Sequence, residues 1–300
     1  MKISVVISAF NEEKMLEDCL KSAKLVADEI IVVDNTSQDA TVKIAKKYTD
    51  KIFIRPNDPV MLNKNKNFGF SKATGNWIIS LDADERITKE LASEIKKAVA
   101  KKDFNGWEIP RKNIIFGKWI RHSIWWPDYN LRLFRRGWGK FAEKHVHEKL
   151  DVRGKIGQLE NPMVHYNYQT VSQFIRKLDK TYTESETENF LASGKNIYWY
   201  DAIRWPANDF IKTFFFQKGY KDGLHGLILS QLQAFYALIF FAKVWERKEN
   251  FKDLTPENFF TEFLKEITKN AKDIKYWIYE VLMEEKPHKK LYYKIKRKFS

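Results

Sequence analysis

Ile78-Ile79-Ser80-Leu81-Asp82-Ala83-Asp84-Glu85-Arg86 is the stretch on which the fold turns. Trp77–Leu81 is a short apolar run of the length of a buried strand, and it ends abruptly in two carboxylates spaced by one residue. Upstream, the same grammar repeats. Ile3–Ser8 is a second apolar run, ending in Ala9-Phe10-Asn11. Glu29–Val33 is a third, stopping at Asp34 and followed by the polar turn Asn35-Thr36-Ser37-Gln38-Asp39. Between the runs lie segments with helical spacing. Met15, Leu16, Cys19, Leu20 and Ala23 give a helix over Glu12–Ala27, and Ala40–Tyr48 and residues 61–73 give two more around a short strand at 51–55. Strands alternating with helices predict an α/β fold with a mostly parallel sheet covered on both faces. The turns after Ser8, Val33 and Leu81 then converge at the carboxyl ends of the strands, where open parallel sheets bind ligands.

The residues at that edge restrict the chemistry. No glycine-rich dinucleotide fingerprint follows the first strand, and no GxxxxGK[ST] phosphate loop is present, so hydride-transfer and ATPase readings lose support. Asp82 and Asp84 supply oxygen ligands of the kind Mg2+ or Mn2+ prefers, and such an ion bridges a diphosphate and offsets charge on a departing nucleotide. The plainer alternative is that Asp82 or Asp84 caps a helix starting near Thr88. Asp34 is placed to accept hydrogen bonds from a base or a ribose. Asp39 either supports that site or caps the helix near Ala40, and Glu12 either faces the donor or stabilises a first helical turn.

ValValIleSerAlaPheAsnGluGlu at 5–13, IleIleValValAspAsnThrSerGlnAspAlaThr at 30–41 and IleIleSerLeuAspAlaAspGlu at 78–85, in that order and spacing, resemble the family-2 glycosyltransferases of GT-A fold. The resemblance implies a Rossmann-like nucleotide-sugar-binding domain, a divalent metal and sugar transfer with inversion at the anomeric carbon. It makes Asp34 a nucleoside contact and Asp39 a supporting polar residue. It also sets Glu12 near the donor nucleotide, with Asp82 and Asp84 around a metal–diphosphate centre. The expected donor is a UDP-sugar.

Residues 101–162 are less regular and rich in aromatics, with short strands expected around 105–112 and 129–134; they read as the acceptor-facing half of a catalytic domain over 1–168. ProAspTyrAsnLeuArgLeuPheArgArg at 127–136, ValHisGluLys at 146–149 and PhePheGlnLysGlyTyrLysAspGlyLeuHisGly at 215–226 resemble the lipopolysaccharide-core glucosyltransferase branch. That branch implies a bacterial envelope glycan or glycolipid acceptor; a polyprenyl-phosphate or a protein acceptor remains an alternative. Inverting transfer needs a base opposite the leaving group, and Glu148 is the candidate, with Asp128 its rival. His147 and His145 orient that carboxylate, touch phosphate or ligate metal. Arg132 alternates with Leu131 and Leu133, which suits a cleft-facing residue holding an anion, with a structural ion pair or a solvated strand face as the alternatives. Arg135 is a candidate for a phosphate-rich acceptor, as against a charged turn before Gly137, and Trp125 and Trp126 for stacking on a sugar.

The remainder, 169–300, reads as a helical extension. Leu224–Trp245 approaches bilayer-spanning length, but His225, Gln231 and Gln233 interrupt it, which favours a surface or packed helix. Seven Lys/Arg residues between Lys286 and Ser300 are interleaved with Leu291, Tyr292, Tyr293, Ile295 and Phe299. This composition predicts peripheral contact with an anionic membrane on its cytoplasmic face, against the alternative of a frayed solubilising tail. No secretory leader pattern follows Met1. Among 300 residues, 44% are hydrophobic, enough for a substantial core, and the single cysteine excludes an intramolecular disulfide framework and reads as a buried thiol. The formal charge of +14 also suits a nucleic-acid-binding module, but no zinc-finger or RNP-like motif accompanies it and acidic edges grip phosphate poorly, so no nucleic acid is expected.

Overall fold

The computed structural model describes residues 1–58, 62–143 and 149–298. Two compact units emerge. One takes Met1–Trp119 and Trp125–Val171, and the other Ile120–Ile124 and Ser172–Ser300.

The first unit is built on β1 (Ile3–Ala9), α1 (Leu16–Ala23), β2 (Glu29–Asp34), α2 (Thr41–Ala45), β3 (Ile52–Ile54), α3 (Leu62–Lys72) and β4 (Trp77–Asp82). These strands lie in the order β3-β2-β1-β4, all parallel, with Ala9 opposite Asp34 and Ser8 opposite Asp82. Val5, Ile7, Ile31, Val32, Val33 and Ile79 are fully buried, because helices cover both faces and neither parity of the strand meets water. α1 starts later than the apolar spacing predicts. Asn11 takes a left-handed conformation at φ 53°, and the chain turns through Glu12–Met15 before the helix forms. α1 then buries Leu16, Cys19, Leu20 and Ala23, each large aliphatic side chain contributing about 1.5–3 kcal/mol. Burial pushes the Cys19 thiol up, leaving it an inert core residue. Gly69 lets α3 lie close on the sheet, since a Cβ there would meet Val6 Cγ1 at 2.4 Å.

Beyond β4 the sheet changes character. β5 (Glu85–Arg86) and α4 (Lys89–Ala98) precede β6 (Gly106–Ile115), β7 (Lys118–Trp119), β8 (Tyr129–Arg135), β9 (Gly139–Lys140), β10 (Asp151–Val152), β11 (Ile156–Gln158) and β12 (Met163–Tyr168). β8 runs antiparallel to β4 and β6, and β12 lies between β6 and β5. Thr88 caps α4, its hydroxyl accepting from Leu91 N at 3.1 Å. The capping alternative for Asp82 and Asp84 is therefore excluded.

The second unit is helical: α5 (Val171–Lys177), α6 (Thr183–Ala192), α7 (Asp201–Phe210), α8 (Leu224–Glu249), α9 (Phe259–Glu285) and α10 (Lys290–Lys298). Trp205 on α7 stacks on Phe240 and meets Phe241 edge-on, which fixes α8 against α7. Among the described residues α8 is the one helix long and apolar enough to cross a membrane by length and composition. Its polar interruptions find partners or water: Gln233 donates to Asp209 at 3.4 Å, and Gln231 is exposed. The tail is not frayed. Through Lys298 it forms α10, which folds back on α9 through Tyr293 against Tyr279 and Arg297 paired with Glu280.

Candidate active site

β1, β2 and β4 deliver their last residues to one edge. Neighbouring strands are about 4.8 Å apart, so Asp34 and Asp82, on either side of β1, are separated by about 10 Å. Asp34 is 1% exposed. Its Oδ2 accepts from Ser37 N at 2.9 Å, while Oδ1 is buried with no partner among the described residues. A buried acceptor without a donor costs stability unless a ligand or a water fills it, and this one lies at the edge where the loops converge. The loops after β1 and β2 are stitched together. Asn11 N donates to Ser37 Oγ, Gln38 N to Asn11 Oδ1, Glu12 N to Thr41 Oγ1 and Glu13 N to Asp39 Oδ2, all at 2.8–3.0 Å. Asp39 also accepts from Thr41 N; burial pushes its carboxyl up, but these hydrogen bonds outweigh it and hold it below the usual range. Asp39 is thus the tie that shapes the loop. Glu12 is half-buried at the turn into α1, its carbonyl accepting from Met15 N and Leu16 N.

At the end of β4, Asp82 is held by two cations, Lys66 Nζ on Oδ1 and Arg132 Nη2 on Oδ2, each at 2.6 Å. Burial would raise its pKa; Arg132 and Lys66 outweigh that and hold the carboxyl well below the ordinary range. Arg132 also reaches Glu85, fully buried, at 2.6 Å. A β-bulge explains how. Trp107 pairs with Leu133 and Glu108 with Leu131, so Arg132 is the extra residue and its side chain is turned inward.

From Glu85 a chain of polar contacts runs round the site. Arg111 lies 4.0 Å from Glu85 and binds Asp128 Oδ2 through Nη2 at 2.7 Å and Nε at 2.9 Å. Asn113, fully buried, donates to the same oxygen at 3.1 Å and to the Trp125 carbonyl, and its Oδ1 faces His165 Nδ1 at 2.7 Å. An acceptor at Nδ1 puts the ring proton there and turns Nε2 toward Asp84 Oδ2, 3.5 Å away. Asp84 follows Asp82 by two residues, so the circuit closes. Among the described residues no group of three His, Cys, Asp or Glu is preassembled as a cation cage. The donors that fit a divalent ion are Asp84 and His165 Nε2, the latter oriented by Asn113 in the manner of a supported metal ligand, with Asp82 beside them.

The other sequence candidates separate. Arg135 is not at this edge. It pairs with Trp77 at the opposite end of β4, its Nε donates to Phe104 O at 2.9 Å and its guanidinium lies over the Trp77 ring. Three residues from Arg132 along a bulged strand, it clamps the backbone carbonyls of Phe104 and Lys102. Trp125 and Trp126 are half-buried and partly engaged in packing, edge-on to Tyr168 at 6.1 Å and to Trp119 at 5.3 Å respectively. Both Asp128 oxygens are occupied, Oδ1 by Asn130 Nδ2 at 2.9 Å. Glu148, His147 and His145 lie outside the described residues. Lys66, Glu85, Arg111, Asn113 and His165 escape sequence reasoning; only the dense polar run Asn63-Lys64-Asn65-Lys66-Asn67 hinted at one of them.

An α/β domain with paired acids at the carboxyl edge of its parallel strands is the GT-A arrangement. Residues 4–150 match the model of the family described as Glycosyl transferase family 2, and the chain carries a family-2 glycosyltransferase domain. It is 28% identical over 258 residues to the lipopolysaccharide core biosynthesis glycosyltransferase LpsC of Rhizobium meliloti, covering 82% of this chain and 93% of that one. An uncharacterized glycosyltransferase of Rickettsia typhi is 28% identical over 263 residues, covering 82% and 87%. The crystal structure of S. aureus TarS 1-349 covers 83% of this chain and 92% of that one at 16% identity, with a TM-score of 0.42.

Proposed function

We propose that this glycosyltransferase moves a sugar from a nucleotide-sugar, a UDP-sugar in the first instance, to a bacterial envelope glycan or glycolipid, with inversion. The observation that carries the donor side is the orphaned Asp34 Oδ1, which suits an N–H of the base or a ribose hydroxyl. Asp82, Asp84 and His165 would hold Mg2+ or Mn2+, which supplies charge neutralisation for the departing nucleoside diphosphate when bound. Lys66 and Arg132 keep Asp82 ionised, and Lys66, beside Asp82, would add positive charge to a diphosphate bound there. The similarity to LpsC supports lipopolysaccharide core as the acceptor class, at the cytoplasmic face of the inner membrane. A polyprenyl-phosphate or protein acceptor is the second reading.

The base that deprotonates the acceptor hydroxyl is Glu148 in this reading. Asp128 is the weaker candidate because Arg111, Asn113 and Asn130 already occupy both of its oxygens. It serves better as the post that holds the Trp125 segment. Screening UDP-sugars with divalent metals against lipopolysaccharide-core and lipid extracts, read by transferred mass, tests the function; transfer to none of them refutes it. Single-turnover rates at saturating donor test the base. Glu148→Gln is expected to lose chemistry while donor binding persists, and a near-native rate there with severe loss in Asp128→Asn reverses the assignment.

A further inference from the structure

α9 is 27 residues long and buries none of them fully. Phe260, Leu264, Ile267 and Ile278 are 82%, 66%, 43% and 42% exposed. They stand at i, i+4, i+7 and i+18, one stripe along the helix. The protein-facing side is elsewhere: Glu266 binds Arg204 of α7, and Trp277 meets Phe216. At about 100° per residue, Lys275 lies about 60° from the stripe and Lys272 and Lys265 about 120–140°, so cations line its outer flank. α10 repeats the pattern in one short helix. Leu291, Tyr292 and Ile295 are 72%, 55% and 53% exposed. Around them stand Lys290, Lys294, Lys296 and Lys298, while Arg297 turns inward to Glu280, and α10 contains no acid.

We infer that α9 and α10 form a docking surface for an anionic lipid bilayer, the apolar stripe entering the headgroup boundary and the lysines meeting lipid phosphates. Charge selects this occupant over a second copy of the chain. Two copies joined at this face would oppose like cations, whereas anionic lipid neutralises them, and lysine stems reach past the stripe to the headgroups. Sequence composition alone pointed to the apolar α8 and the tail after Lys286. The structure transfers the main apolar contact to α9. α8 exposes Leu224, Ile228, Phe235 and Leu238, but along that edge stands Gln231 and no cation.

The inference extends the reading of a membrane-facing acceptor, and its test does not depend on transfer. The full-length protein is floated with phosphatidylcholine vesicles and with vesicles containing phosphatidylglycerol; binding is expected only to the second kind. Phe260→Ser with Leu264→Ser is expected to weaken that partitioning by about a hundredfold or more, what losing two inserted apolar side chains removes. Lys290→Gln with Lys294→Gln and Lys298→Gln should lower it by about a hundredfold on anionic vesicles. Leu238→Gln on α8 should leave it unchanged. UDP-glucose binding and sedimentation velocity are measured on every variant. Intact protein that ignores both vesicle kinds overturns the inference, as does binding that survives both sets of changes. A dimer that dissociates in Phe260→Ser with Leu264→Ser, without vesicle binding, assigns the face to a second copy instead. Vesicle binding retained in a protein that binds no nucleotide-sugar refutes the enzyme reading and leaves the surface standing.

Discussion

The two ends of the parallel sheet carry similar residues and treat them oppositely. At the amino end, Glu29 is fully engaged: Ser4, Lys51 and both the amide and hydroxyl of Thr74 bind it, and although burial pushes its carboxyl up, these contacts bring it down to about 2. Arg135 at that end spends its donors on backbone carbonyls. At the carboxyl end, Asp34 keeps an oxygen without a partner, and Asp82 is held by two cations rather than by backbone. Satisfied acids build a fold; acids left open or held only by movable side chains build a site.

The largest expected effect falls on the site more than on the fold. Asp82→Asn and Asp84→Asn should each lower the transfer rate by about a thousandfold, about 4 kcal/mol, a larger loss than either shows in stability by urea titration. Native rates and native metal dependence in both would erase the distinction between the two ends. Arg132→Met is expected to damage the fold as well as the site, destabilising by about 3 kcal/mol because fully buried Glu85 loses its nearest counterion. Pairing it with Glu85→Gln should recover much of the loss, and denaturant titration of both proteins decides it.

Glu29→Gln probes the amino end through pH. A carboxyl whose folded pKa is depressed stabilises the fold above its unfolded value near 4.5 and loses that contribution as pH falls toward 2. The variant should therefore be less stable by about 2 kcal/mol at neutral pH, and the two unfolding curves should converge in acid. A gap that stays constant from pH 7 to pH 2 would mean that shape rather than charge matters there. The smallest effect is expected from Arg135→Ala, about 1 kcal/mol of stability with transfer unchanged. A selective rise in acceptor KM would return Arg135 to the site.

These contrasts show what the sequence makes legible. Strand cores and the acids that end them are local, and Ile78–Arg86 displays both within nine residues. The circuit is not local. Asn113 and His165 are 52 residues apart, and nothing near either announces the other. Arg132 and Arg135 look equivalent in a row of alternating residues, yet a bulge that strand periodicity does not reveal sends one to the site and leaves the other at the far end. α8 outranks α9 in hydropathy, but exposure depends on which faces the neighbouring helices cover.

The stitching of the first two loops bears on the thermodynamics of recognition. Immobilising a loop residue costs about 1–2 kcal/mol of conformational entropy, and a floppy receptor meets that cost when its ligand arrives. Here Asn11, Glu12 and Glu13 are already bound to Ser37, Gln38, Asp39 and Thr41. The ordering is a debt of folding rather than of binding. Cutting one stitch, as in Asn11→Ala, would shift that debt to the binding of the proposed donor, so the same contacts would form with a weaker affinity and a larger entropic penalty at a similar heat of binding.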